Sequence, residues 1–163
     1  MFWGDDSGLL RPPGATSEEH FLATCTRCMR CIEVCPYKSI RLGSIWDGLS
    51  MGSPVIRARS TPCYLCMKCP EVCPSGSLMS LAKNDVQMGL AKVNEKLCLA
   101  FNGILCRTCY NACPIFDEAL VMDDELHPKV VTEKCVGCGV CEYVCPTEEP
   151  AIVVGTEDVS RKR

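Results

Sequence analysis

Apolar positions in this chain come in short runs bounded by turn-forming residues. One set closes each repeat: Ser39-Ile40-Arg41-Leu42, Ser77-Leu78-Met79-Ser80-Leu81, Ala119-Leu120-Val121-Met122 and Ala151-Ile152-Val153-Val154. A second set opens on proline or glycine: Pro54-Val55-Ile56-Arg57-Ala58, Gly89-Leu90-Ala91-Lys92-Val93 and Pro128-Lys129-Val130-Val131. Runs this short and this rich in branched residues predict strands. Between an opening run and a closing run lies a cysteine-rich loop with room for one or two helical turns. The predicted unit is therefore strand, loop, short helix, strand, repeated along the chain.

The first unit lacks its leading strand. Residues 1–24 are expected to form an arm instead, with Arg11-Pro12-Pro13-Gly14 extended by its prolines. A short helix is expected next, with Thr16 as cap and Glu19 three residues on. Phe2 and Trp3 at the tip would dock on a partner or fold over the chain's own core. Residues 43–53 predict a surface loop. In it, Trp46 reads either as an interface anchor or as a cap over a cofactor.

Sixteen cysteines fall into four quartets, each ending in Cys-Pro. They are Cys25, Cys28, Cys31, Cys35; Cys63, Cys66, Cys69, Cys73; Cys98, Cys106, Cys109, Cys113; and Cys135, Cys138, Cys141, Cys145. Three quartets read C-x2-C-x2-C-x3-C-P, the spacing of a [4Fe–4S] loop whose fourth cysteine reaches a neighbouring cluster. Structural zinc prefers two cysteine pairs a dozen or more residues apart. Disulfides would have to join each crowded run to a distant one. Pro36, Pro74, Pro114 and Pro146 turn the chain away from the last thiol of each run. All sixteen cysteines are thus expected to bind four [4Fe–4S] clusters, with no catalytic residue.

The third quartet departs from the pattern. Leu99-Ala100-Phe101-Asn102-Gly103-Ile104-Leu105 separates Cys98 from Cys106. Either this loop bulges over its cluster, with Phe101, Ile104 and Leu105 excluding water, or Cys98 is not a ligand. The spacing also leaves the crossing of the fourth cysteines open. In a sequential arrangement quartets one and two exchange them, as do three and four. In a nested arrangement one exchanges with four and two with three. Local strands favour the sequential option, because quartets three and four have a full set.

Composition adds three constraints. Aromatics make up 6% of the 163 residues, so the core is thin and the clusters must help hold the fold. The formal charge of −3 falls to roughly −11 once four sites at about −2 each are loaded. That argues against nucleic acid and for docking on basic protein partners. No P-loop or G-x-G-x-x-G occurs, so the sequence offers no site for NAD, flavin or substrate. His20 and His127 read as surface histidines, Asp123-Asp124-Glu125 as a solvated turn, and Arg161-Lys162-Arg163 as a basic tail. No apolar stretch is long enough to span a membrane. The start carries no export signal, so a cytoplasmic location is expected, or a periplasmic one if a leader was trimmed.

Leu10-Arg11-Pro12-Pro13-Gly14-Ala15, the run from Phe21 to Tyr37, Cys98-Leu99-Ala100-Phe101-Asn102-Gly103 and Cys135-Val136-Gly137-Cys138-Gly139 carry a family resemblance. The chain resembles the ferredoxin-type proteins of periplasmic nitrate reductase and methylamine-utilisation systems. Its Cys63-Tyr64-Leu65-Cys66-Met67-Lys68-Cys69-Pro70 stretch is similar to a cytoplasmic branch, the small polyferredoxin subunit that accompanies tungsten-dependent aldehyde oxidoreductases. More distantly the layout is similar to the four-cluster subunits of the dimethyl sulfoxide reductase family, a likeness that favours nested crossing.

The fold expected is α+β, two ferredoxin-like 2[4Fe–4S] modules in one compact chain. The organisation expected is an N-terminal docking arm at 1–24, a double module at 25–160 and a basic tail at 161–163. Within the double module the cluster segments lie at about 16–45, 54–84, 89–123 and 126–155. The resemblance implies an electron-transfer subunit, not itself an enzyme, that relays electrons between a catalytic metallo-subunit and another redox partner. The catalytic subunit would be tungsten or molybdenum pterin-dependent and the other partner a flavoprotein. The alternative is an exported protein feeding a nitrate-type reductase. Head-to-tail self-contact is a further option for a wire with a cluster at each end.

The loops also imply an order of potentials, because local charge tunes a cluster. Arg27 and Arg30 flank the first, Lys68 the second and Arg107 the third, while the fourth has no charge between its cysteines. The fourth is expected to be lowest and the first raised.

Overall fold

The computed structural model describes residues 9–156. Five short helices and six short strands alternate along it. They are α1 (Glu18–Thr24), α2 (Arg30–Val34), β1 (Ile40–Leu42), β2 (Pro54–Ile56), α3 (Lys68–Glu71), β3 (Leu90–Val93), α4 (Thr108–Ala112), β4 (Leu120–Met122), β5 (Pro128–Val130), α5 (Val140–Tyr143) and β6 (Ile152–Gly155). The class is α+β, as the repeat predicts.

Strands pair in three antiparallel ribbons. β1 meets β2 with Ile40 opposite Ile56 and Leu42 opposite Pro54. β4 meets β5 in the same style, with Leu120 opposite Val130 and Met122 opposite Pro128. β3 meets β6 from Leu90–Gly155 to Val93–Ile152. The first ribbon belongs to module one, residues 25–78, and the other two to module two, residues 90–155. In each module the two ligand-loop helices pack together, α2 on α3 and α4 on α5.

The closing strand expected at 77–81 does not form. Its place is taken by one backbone bond, Met79 N–H to the Gly14 carbonyl at 2.9 Å. Gly14 sits at φ +92° with the Met79 backbone where a Cβ would go, so only glycine lets the segments meet. The described part of the arm thus packs onto its own module. Leu10 and Phe21 are buried, and Leu10 bridges to Ile56. Phe2, Trp3 and the tail at 161–163 lie outside the described residues. α1 is capped by Ser17, one residue after the expected Thr16. The Ser17 hydroxyl accepts from His20 N–H at 3.2 Å, and Glu18 and Glu19 favour the positive helix end.

Residues 43–53 are also more ordered than a loop. Ile45–Ser50 is a 3-10 helix kinked at Gly48, whose capping box joins Ser44 to Asp47. Arg11, buried, clasps its end. The guanidinium donates to Ser53 Oγ at 2.8 Å, Ser50 Oγ at 2.6 Å and the Pro54 carbonyl at 3.0 Å, and pairs with Glu18. Trp46 is 88% exposed, so it caps no cofactor.

The modules share one core. At the seam, Cys63 N–H donates to the Cys138 carbonyl at 2.9 Å and Met88 N–H to the Val136 carbonyl at 2.9 Å. Arg59 reaches across and donates to the carbonyls of Glu142, Cys145 and Thr147 at 2.9, 3.0 and 3.0 Å. Gly137 lies against the Gly89 backbone and Gly139 against Ala58, both at positive φ.

Candidate iron–sulfur centres

Three of the four cysteine loops share one backbone device. The residues flanking the middle cysteine are left-handed: Arg27 and Met29 around Cys28, Leu65 and Met67 around Cys66, Gly137 and Gly139 around Cys138. This coils three closely spaced thiols round one centre and then starts a helix at Arg30, Lys68 or Val140. The third loop cannot do this, because Cys98 and Cys106 are too far apart in sequence. It turns instead through Cys98–Gly103, where Asn102 N–H donates to the Cys98 and Leu99 carbonyls at 3.2 and 3.1 Å.

The thiols gather at four places. Cys25, Cys28, Cys31 and Cys73 line the first cavity, with Phe21 and Leu78. Cys98, Cys106, Cys109 and Cys145 line the third. Cys113, Cys135, Cys138 and Cys141 line the fourth, with Ile115 and Val136. At the second site Cys63 is flanked by Cys66 and Cys35, and Cys69 by Cys63 and Cys66. Crossing is therefore sequential, and the nested arrangement is overturned. The cause is local: the β1–β2 ribbon folds quartet two back on quartet one, and β4–β5 does the same for four and three. Cys98 stands with Cys106 and Cys109, so the alternative in which it lies apart from its quartet is set aside.

The four sites form a row. Cys69 feels Cys31, which joins the second site to the first. Cys138 feels Cys63 and accepts its N–H, which joins fourth to second. Cys141 feels Cys109, which joins fourth to third. The order in space is first, second, fourth, third. Exposure follows the same order. Thr26 to Arg30 are all exposed, Val136 to Val140 are all buried, and Leu105 beside Cys106 is again exposed.

Burial dominates the thiol chemistry. It pushes Cys31, Cys63 and Cys109 up to about 11 and Cys138 to about 12, with neighbouring thiols adding to the rise. A loading metal centre must displace those protons and supply the charge that keeps thiolates together. Cys73 is the exception. Against burial, the hydroxyls of Ser77 and Ser75 bring it down to about 7, and Thr147 lowers Cys145 in the same way. Sequence reading passed over these hydroxyls, although Cys-Pro-Ser and Cys-Pro-Thr stand in plain view.

Other expectations shift. Ile104 and Leu105 are 54% and 76% exposed, so they do not shield the third site. Phe101 stacks on His127 at 4.1 Å, and Leu99 lines the site instead. His127 closes the β4–β5 turn through Asp123, whose carboxylate accepts the His127 and Glu125 N–H groups at 2.8 and 3.1 Å. Among the described residues no three His, Cys, Asp or Glu side chains converge on a single ion. A cubane asks instead for four thiolates set around an eight-atom body.

Two family models, each described as a 4Fe-4S dicluster domain, match residues 24–77 and 91–153, one per module. The chain is 42% identical to the ferredoxin-type protein NapG of Escherichia coli over 160 residues, covering 89% of this chain and 69% of that protein. It is 40% identical to the methylamine utilization ferredoxin-type protein MauM of Methylorubrum extorquens over 157 residues, covering 89% and 71%. A chain of the formate dehydrogenase – heterodisulfide reductase – formylmethanofuran dehydrogenase complex from Methanospirillum hungatei aligns at 20% identity and a TM-score of 0.33, over 86% of this chain and 54% of that one. These dicluster matches set zinc aside: the chain carries four [4Fe–4S] clusters.

Proposed function

We infer the role of this chain from one premise: it belongs to the NapG/MauM family of ferredoxin-type 4Fe-4S proteins. It is an electron-transfer protein. We propose that all sixteen cysteines are ligands, with Cys35, Cys73, Cys113 and Cys145 each crossing to the other cluster of its module. Bound there, the clusters supply one-electron redox chemistry. The chain's own residues exclude water, hold the thiolates and set the order of sites. Electrons enter at one end of the row and leave at the other.

The observation that carries this reading is the row itself, joined at its middle by the Cys63 to Cys138 backbone bond. Its two ends also differ. Residues 25–78 hold seven Lys and Arg against three Asp and Glu, while residues 90–155 hold five against ten. The first-site end presents Arg27, Arg30 and Met29, with Ile45, Trp46 and Leu49 exposed on the neighbouring 3-10 helix. Two unlike partners fit two unlike ends. An acidic, partly apolar protein suits the first, and a basic one the second.

We assign the partners as a catalytic metallo-subunit of an oxidoreductase complex, aldehyde-oxidoreductase-like, and a second redox protein such as a flavoprotein. The 42% identity to NapG supports a second reading, in which the chain passes electrons to a nitrate-type reductase outside the cytoplasm. Among the described residues no helix is long and apolar enough to cross a membrane, and the two readings share every cluster residue. Cell fractionation combined with co-purification of the large subunit separates them. The wire itself is tested by anaerobic reconstitution. About sixteen irons with matching sulfide per chain are expected, and a colourless, sulfide-free product overturns the assignment.

A further inference from the structure

The residue two places after each crossing cysteine changes along the row. Ser75 follows Cys73 and Thr147 follows Cys145, whereas Tyr37 follows Cys35 and Ile115 follows Cys113. Ser75 Oγ and Ser77 Oγ lie 3.6 and 3.5 Å from Cys73 Sγ and 2.7 Å from each other. Thr147 Oγ1 lies 3.1 Å from Cys145 Sγ, and Ala151 N–H donates to the same sulfur at 3.3 Å. At the third site Thr108 Oγ1 adds a contact to Cys106 Sγ at 3.6 Å. Tyr37 turns to Tyr64 instead, ring to ring at 4.7 Å. Ile115 is a buried apolar side chain. The hydroxyl-bearing cysteines serve the first and third sites, the two ends of the row. The apolar or aromatic followers serve the interior pair.

We propose that Ser75 with Ser77, and Thr147, are positioning residues that hold the two terminal clusters at higher reduction potential than the two interior clusters. This rests on the crossed ligand assignment above. A reduced cluster carries one more negative charge than an oxidised one. A hydroxyl donating to a ligand sulfur therefore stabilises the reduced state more, and the potential rises. Arg27 and Arg30 push the first site the same way, and the uncharged, buried fourth loop pushes its site down. An electron taken from a donor rests at one terminal cluster, crosses two less favourable interior steps, and rests again facing the acceptor.

The test is an EPR-monitored redox titration of the anaerobically reconstituted full chain, with iron and sulfide measured in the same samples. Ser75→Ala with Ser77→Ala is expected to lower one of the two highest midpoints, and Thr147→Val the other. Each shift is expected to be near a tenfold change in the reduction equilibrium, about 59 mV for one electron. Tyr37→Ser, which adds a hydroxyl beside Cys35, is expected to raise one of the two lowest midpoints. Highest midpoints that stay in place at full iron content overturn the proposal, as does movement of the lowest ones in their stead. If the alanine variants lose iron, Tyr37→Ser decides, and an unmoved low midpoint overturns it. Failure of the ligand assignment reads differently: Cys73→Ser would then keep its full iron.

Discussion

The two modules bind their clusters in the same way and are held together in different ways. Module two closes on backbone. Its β3–β6 ladder pairs four residues with four, and its inner ribbon turns through the five residues 123–127. Module one has the inner ribbon, but its outer ladder has shrunk to the single Gly14–Met79 contact. The Leu10–Ile56 bridge and side chains do the rest: Arg11 binds the arm to the 3-10 helix, and Phe21 fills the space beneath. Two sequences can thus gather crossed cysteine quartets by a ladder or by a clasp. The ladder resists single side-chain changes, and the clasp does not.

The ligand loops sharpen this contrast most. Left-handed φ occurs before the middle cysteine in three loops, at Arg27, Leu65 and Gly137. Strain alone costs a non-glycine residue about 1–2 kcal/mol there, and loops one and two bear it. At Gly137 the Gly89 backbone occupies the side-chain position as well. Gly137→Ala is expected to cost more than about 4 kcal/mol, the range kept for overpacking and forbidden backbone together. Arg27→Gly should cost nothing or stabilise slightly. Thermal melts and iron retention of the two variants check this; effects equal in size and opposite in sign would mean that φ, not the seam, is what matters.

Next in size is the seam clamp. Arg59 donates to the carbonyls of Glu142, Cys145 and Thr147, sharing the first with the local Cys145 N–H. Arg59→Ala is expected to cost about 2–3 kcal/mol, since bonds from a charged donor are the stronger kind and their acceptors are left half-buried. Because the clamp lies on the tail of module two, the third and fourth sites should lose iron first on dilution or mild denaturation. Cluster-resolved EPR during the loss measures the order. Loss of the first site before the others would contradict the picture of modules tied at Arg59.

How far the sequence carried this molecule depends on range. The cysteine quartets, the short strands and the α+β class are local patterns, and each was readable. The crossing of the fourth cysteines was half readable: local strands pointed to the sequential order and the distant resemblance to nesting, and the β1–β2 and β4–β5 pairings decide it. Arg59 carried no signal, since its acceptors are carbonyls some eighty residues away. The cap moved from Thr16 to Ser17 because the two hydroxyls are adjacent and packing of Phe21 selects the register. The strand expected at 77–81 does not form: among the described residues, the arm meets it through backbone only at Gly14.

A smaller effect probes the clasp through pH. Arg11 donates to Glu18 and, against some burial, holds its carboxyl below the usual carboxylate range. A depressed acid contributes stability above its unfolded pKa, near 4.3, and loses it as pH falls through the lower folded value. The Tm difference between the wild-type chain and Glu18→Gln should therefore be constant from pH 8 to 6 and narrow as pH drops toward 4. The carboxylate is half exposed, so the gap itself is modest. A gap that widens with acid would show that Glu18 does not serve the clasp as an anion. In module two, Glu142 is buried and accepts Val154 N–H at 2.7 Å, inside the ladder that makes a clasp unnecessary.

The smallest effect on stability is expected at the place where module one spends residues that module two does not. The connection 43–53 is longer than the 123–127 turn, and the extra length lifts Ile45, Trp46 and Leu49 into solvent beside the first site. An exposed tryptophan contributes little to folding, so Trp46→Ser should change stability by less than about 0.5 kcal/mol. Interface energy concentrates in such side chains, and loss of a buried aromatic anchor weakens a complex by about 2 kcal/mol or more. Electron delivery through the first-site end should then slow at low partner concentration and recover at high concentration, with cluster midpoints unchanged. The measurement is stopped-flow oxidation of the reduced chain by the co-purified partner across a concentration series. A rate defect that persists at saturation would place Trp46 in the electron path; a defect that saturation removes places it on the docking face, and with it the reason the two hairpins differ in length.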